Sequence, residues 1–154
     1  MTLAIPIPGG EDVRLHHLML DVNGTLTGRG VLLDGVTIRF ARLHTALNVH
    51  LVSADTFGTL DSIAERLHAT GVRAASGEDK LRTLDELGRD RTAVIGNGAN
   101  DVLVLEAAAL GIAVIGPEGA SSAAIRAADV VCTSIEDALD LLLEPQALTA
   151  TLRR

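Results

Sequence analysis

The sequence predicts an α/β protein built as a parallel sheet with helices on both faces. Two observations carry this. Six short apolar runs are continuous rather than alternating, as strands covered on both faces are. Between them lie six segments with apolar residues at helical spacing, such as Leu60, Ile63, Ala64 and Leu67. Such alternation implies right-handed βαβ units, and 154 residues suffice for one domain with a real core.

The elements follow in order. Residues 1–12 carry Pro6, Pro8 and the Gly9-Gly10 pair and are expected to be a flexible lead. The first strand is placed at 15–22, an apolar run that ends in Asp21. Segment 27–35 has no helical period, and its glycines suggest a short hairpin, a flap beside the Asp21 turn. Helix 37–48 leads to strand 49–53, and helix 59–70 to strand 72–75. Helix 78–89 precedes strand 93–96, and helix 100–110 precedes strand 112–115. Helix 121–127, strand 130–132 and helix 134–143 complete the pattern, and 145–154 is expected to be a tail. Gly71, Gly88 and Gly111 are expected to close three of the helices.

Composition excludes several functions. The net charge is −7, with two Phe and no Trp or Tyr, so neither a basic stripe nor a stacking platform for nucleic acid is present. Cys132, the sole cysteine, lies in an apolar run and reads as a buried small hydrophobe. No signal-peptide pattern and no membrane-length apolar stretch are visible, and a cytoplasmic protein is expected. The five histidines show no metal-ligand spacing and are not expected to group.

Four segments could carry chemistry. In Asp21-Val22-Asn23-Gly24-Thr25-Leu26-Thr27, a carboxylate stands where a buried strand gives way to a glycine turn. At the edge of an α/β sheet this is a ligand position. Asp21 could be a cap, a metal ligand or a nucleophile. Gly24 permits the turn, and Thr25 and Thr27 add hydroxyls. Ser53-Ala54-Asp55 ends the next strand, and Ser53 could bond a phosphate oxygen or cap a helix. Lys80 is the only lysine among thirteen basic residues, a compact charge suited to a phosphoryl group or a carboxylate. In Gly96-Asn97-Gly98-Ala99-Asn100-Asp101 a turn gathers oxygen donors of the kind Mg²⁺ prefers, or simply starts a helix.

In order and spacing these segments resemble the four motifs of the haloacid-dehalogenase superfamily of phosphoryl-transfer enzymes, over residues 15 to about 132. Within it the chain looks most like soluble, capless relatives of the P-type ATPase phosphorylation domain. The resemblance implies a three-layer Rossmann-like fold and Mg²⁺ as cofactor. It implies that Asp21 forms an aspartyl-phosphate, that Asp21, the Asn23 carbonyl, Asn97 and Asp101 hold the metal, and that Ser53 and Lys80 grip the phosphoryl oxygens. Gly24, Thr25, Ala54 and Asn100 would complete the phosphate site, and a small phosphorylated molecule would be the substrate. Only 25 residues separate Thr27 from Ser53, and 26 separate Ser53 from Lys80, too few for a cap domain. The resemblance implies that such a capless member closes its site by oligomerising or accepts a large substrate, and a dimer or tetramer with the hairpin at its interface is expected.

Two positions depart from the superfamily pattern. Asn23 stands where an acid/base Asp is usual and cannot shuttle a proton as a carboxyl does. Slow dephosphorylation is expected, with Asp55 as a possible helper. Asn97 replaces a metal-binding Asp, so weak Mg²⁺ binding is expected. Both asparagines precede glycine, the context most prone to deamidation. A phosphate-binding regulator that kept the fold is the alternative reading.

Overall fold

In the computed structural model, which describes residues 1–154, the chain opens with a hairpin. Strand β1 (Leu3–Ile5) pairs antiparallel with β2 (Val13–Leu15). After a break at His16 comes β3 (His17–Asp21), then the small hairpin β4 (Thr27–Gly28) and β5 (Val31–Leu32). Helix α1 (Val36–Leu43) and β6 (Asn48–Ser53) follow, then α2 (Leu60–Leu67), β7 (Thr70–Arg73) and α3 (Gly77–Leu87). Next are β8 (Thr92–Gly96), α4 (Val102–Ala107), β9 (Leu110–Val114), α5 (Ser122–Ala127), β10 (Val130–Cys132), α6 (Ile135–Leu143) and α7 (Gln146–Leu152). No further domain is inserted.

The central sheet has six parallel strands in the order β10-β9-β8-β3-β6-β7. Strand β3 comes first in sequence yet lies between β8 and β6, so the connections depart to opposite sides of it. In open α/β sheets ligands bind at such a switch point, outside the carboxyl ends of the strands. Side chains alternate across the sheet. Leu18 and Leu20 join the larger core cluster with Phe40, Leu43, Ile63 and Leu139, on the side of α1, α2 and α6. Met19 joins Val52, Val94, Leu84, Val104 and Ala124, on the side of α3, α4 and α5. Asp21 shares parity with Met19 and therefore faces α3.

Several expectations need correction. The ends are ordered elements: Ile5 is fully buried, Leu148 of α7 likewise, and the Arg154 N–H bonds the Pro8 carbonyl at 3.0 Å. A flexible lead and a loose tail are replaced by a hairpin and a helix, because both carry apolar residues that complete the core. Of the three glycines, only Gly88 ends a helix. Helix α2 closes at His68, which takes the left-handed conformation (φ 53°), and Gly71 lies within β7. Gly111 is the second residue of β9, where a Cβ would stand 2.3 Å from the Leu105 carbonyl oxygen. The glycine serves close helix–strand packing there. The histidines do group. His17 Nδ1 lies 3.2 Å from His50 Nε2, because parallel pairing sets the two on adjacent strands and one face.

Candidate active site

The site is built at the carboxyl ends of β3, β6 and β8. After β3 the chain folds tightly, with the N–H groups of Thr25, Leu26 and Thr27 all donating to the Val22 carbonyl. Gly24 takes φ +78°, and a Cβ there would stand 2.6 Å from Asn97 Nδ2. Only glycine lets the turn close this near the β8 loop. Thr27 spends its hydroxyl on Val22 O (3.3 Å) and is structural. The Thr25 hydroxyl, fully buried, lies 3.2 Å from Asp21 Oδ2 and 3.1 Å from Asn97 Oδ1. Those two oxygens thus converge on one atom.

Helix α3 brings Lys80. Its start is fixed by a capping box, with Ser76 Oγ accepting from the Asp79 N–H and Asp79 accepting from the Ser76 N–H. One turn in, the Lys80 ammonium donates to Asp21 Oδ1 at 2.8 Å and to Asp101 Oδ1 at 2.7 Å. Lys80 is 1% exposed. Asp101 spends its second oxygen on the N–H groups of Asn97 and Gly98, at 3.1 and 3.0 Å. Both Asp101 oxygens thus accept hydrogen bonds, one holding Lys80 and the other shaping the turn. Asp21 Oδ2 and Asn97 Oδ1, which meet at the Thr25 hydroxyl, could hold a metal together with the Asn23 carbonyl on the adjoining turn.

Charge balance decides how these groups titrate. Burial raises the Asp21 carboxyl from 3.8 to about 6, and the Asp101 charge adds to this, against the pull of Lys80. Burial lowers Lys80, but Asp21 and Asp101 outweigh it and hold the ammonium above the ordinary lysine value. Two buried carboxylates share one cation. The excess negative charge and the hard oxygen donors fit a divalent ion such as Mg²⁺.

Strand β6 ends in Ser53, 2% exposed, whose Oγ accepts from the Asp55 N–H at 2.9 Å. Its hydroxyl proton remains free to donate. Asp55 (φ 60°) turns its carboxylate away: Oδ1 accepts from the Leu60 N–H at 2.9 Å, and Oδ2 meets Arg73 at 3.2 Å. It starts α2 and is not placed as a helper for Asn23. Asn23 is half-buried, and its carboxamide makes no hydrogen bond. Ala54 and Asn100 are exposed, Asn100 on the outer edge of the β8 turn.

The expected hairpin is present, and its contacts were not read from the sequence. Arg29 and Gly30, both at positive φ, form its two-residue turn. The Arg29 N–H donates to Glu118 at 2.9 Å, and Gly30 faces the Phe57 ring. The flap thus touches the loops after β9 and β6. The one signal that could have found Phe57 is that a chain with two Phe leaves one in a site loop.

No family model matches the sequence. The uncharacterized protein MJ0073 of Methanocaldococcus jannaschii is 50% identical over 78 residues, 48% of this chain and 84% of that protein. The chain belongs to one family with it. Among solved structures, a Streptomyces avermitilis protein assigned to the HAD hydrolases superposes with a TM-score of 0.68 at 18% identity, over 94% of this chain and 89% of that one. This is a haloacid-dehalogenase (HAD) fold. The 3-deoxy-D-manno-octulosonate 8-phosphate phosphatase from Moraxella catarrhalis, solved with magnesium, phosphate and KDO, gives a TM-score of 0.66 at 15% identity, over 88% and 90% of the two chains. The catalytic domain of the CPx-ATPase CopB gives 0.59 at 20%, over 80% of this chain and 47% of that one. At these identities the likeness is one of fold, which the chain shares with a phosphatase and with the catalytic domain of a CPx-ATPase.

Proposed function

We propose that the chain is a Mg²⁺-dependent phosphatase of small phosphorylated molecules that works through an aspartyl-phosphate on Asp21. The observation that carries this is the Lys80 ammonium held between Asp21 and Asp101, beside a turn whose Asp21 and Asn97 oxygens converge. A carboxyl that titrates near 6 is ionised at neutral pH, as a nucleophile must be. The Asp21 oxygen would form a bond to phosphorus while the ester oxygen departs with the bonding electrons. Lys80 and the Ser53 hydroxyl would hold the phosphoryl oxygens. Water would then release phosphate and restore Asp21. Mg²⁺, held by Asp21, the Asn23 carbonyl and Asn97, would neutralise the developing charge. Neutral Asn97 makes its binding weak.

Turnover is slow on this reading. Asn23 cannot protonate the leaving group, and Asp55 is committed to Arg73 and the start of α2. General acid/base help is worth about 10²–10⁴-fold. The two asparagines favour one other reading, a phosphate-binding regulator. Closure of the site in a dimer or tetramer is supported by Val31, 70% exposed on the flap, and by Phe57 beside it. No helix is long and apolar enough to cross a membrane, and a cytoplasmic location is part of the proposal.

The experiment is Mg²⁺-dependent hydrolysis of an aryl phosphate by wild type, Asp21→Asn and Asn23→Asp. Loss in the first variant and gain in the second support the phosphatase. Inactivity of both wild type and Asn23→Asp supports the regulator.

A further inference from the structure

Four of the five histidines gather at the sheet edge opposite Asp21. His17, His44, His50 and His68 line one cavity of about 270 Å³, together with Asn48 and Thr70. His44 Nε2 is occupied by the Leu67 carbonyl at 2.7 Å, and His68 caps α2. His17 and His50 differ: Nδ1 of one and Nε2 of the other face each other at 3.2 Å, and neither ring has another hydrogen-bond partner. Both rings are partly open to solvent. Burial first, then neighbouring positive groups, lowers both below the ordinary histidine value, so both are neutral at neutral pH and can offer lone pairs.

We propose that His17 and His50 form a binding site for a divalent transition ion of the Zn²⁺ or Ni²⁺ type, which clips β3 to β6. Two imidazole nitrogens about 2.0–2.1 Å from a tetrahedral ion stand about 3.3 Å apart. The observed separation of 3.2 Å matches that spacing. Entry requires only the tautomers in which the facing nitrogens carry no hydrogen. No third imidazole, thiol or carboxylate joins the pair. Water completes the coordination, and the ion exchanges more readily than in a closed structural zinc site. Mg²⁺ requires oxygen donors and is excluded here, which sets this site apart chemically from the one at Asp21.

The clip has a mechanical consequence. His17 lies four residues before Asp21 on β3, and His50 three before Ser53 on β6. A cross-link here ties the amino ends of two paired strands whose carboxyl ends carry Asp21 and Ser53.

The test is an NMR titration of full-length, chelator-treated Asp21→Asn protein with zinc chloride alone, following the imidazole ¹⁵N signals. Asp21→Asn removes the carboxylate of the other site, so the result is independent of the phosphatase reading. The expected result is a joint shift of His17 Nδ1 and His50 Nε2, saturating at one equivalent with a micromolar Kd. The thermal midpoint rises with it. His17→Asn and His50→Asn each abolish both effects, and magnesium chloride produces neither. Unshifted His17 and His50 signals at millimolar zinc overturn the proposal, as does undiminished zinc binding by folded His50→Asn. The signals of the unsubstituted histidines decide the matter even where a variant fails to fold.

Discussion

The Lys80 ammonium sits 2.8 Å from Asp21 Oδ1, with the lysine 1% exposed and the carboxylate side chain 10% exposed. A second carboxylate, Asp101, lies 2.7 Å away on the far side of the same nitrogen. Removing the cation leaves two like charges buried together. Lys80→Met is therefore expected to lower stability by about 3–5 kcal/mol, as loss of one partner from a buried ion pair does. Urea unfolding in chelator-treated protein measures it, and a loss below about 1 kcal/mol contradicts the buried triad.

Asp21 should cost stability while it enables chemistry. With its carboxyl raised to about 6, the folded metal-free protein holds a proton that the unfolded chain has released above 3.8. Stability therefore increases as pH falls from about 6 towards 4, and the contribution is absent at higher pH. Lys80 adds nothing in this window, since its raised value loses stability only above the ordinary lysine range. Thermal midpoints of chelated protein across this range should rise with acid in wild type, and less so in Asp21→Asn. That variant should be more stable than wild type at pH 7 and inactive. Lower stability of Asp21→Asn at pH 7 would contradict the assignment.

Asn23 and Asp55 are separable. Asn23→Asp should raise kcat, at most by the ~10²–10⁴-fold of general acid/base help. Asp55→Ala removes the acceptor of the Leu60 N–H and should cost about 1 kcal/mol, with little from the exposed Arg73 pair. Its kcat per folded molecule should stay near wild type. A hundredfold fall would make Asp55 the missing acid/base.

The two Asn-Gly steps should age differently. Deamidation needs the next residue's amide nitrogen to reach the asparagine Cγ. At Asn97 the carboxamide bonds Thr25 and the Gly119 carbonyl, and the Gly98 N–H is held by Asp101. At Asn23 the carboxamide is free of hydrogen bonds and half-exposed. Peptide mass analysis of stored protein should find conversion at Asn23 and an intact Asn97. The reverse order would show that the Asn97 bonds do not protect.

Gly111→Ala tests the packing. The new Cβ would meet the Leu105 carbonyl oxygen at 2.3 Å, backbone that has no room to yield. A loss of about 1–3 kcal/mol is expected. A neutral substitution would mean that α4 moves freely over β9.

Legibility differed by the range of the cause. The apolar run 130–132 coincides with β10, and the runs 49–53 and 93–96 fall within a residue or two of β6 and β8, because buried parallel strands are continuous apolar runs. The run 72–75 lies two residues beyond β7, since Gly71 looks like a helix stop in sequence, whereas αL His68 is the true one. The hairpin was legible from its glycines. Its partners Phe57 and Glu118 were not, because they arrive from the ends of two other strands.

The layered α/β architecture, the lack of room for a cap, and the segments around Asp21, Ser53, Lys80 and Asn97 are all legible along the chain. Periodicity and turn chemistry act within a few residues, so they can be read along the chain. That Asp101 bonds Lys80, that Asp55 bonds the start of α2, and that distant His17 and His50 meet emerges in three dimensions alone. Those outcomes depend on strand register and side-chain direction, which are set when the sheet closes and two buried carboxylates must share one ammonium.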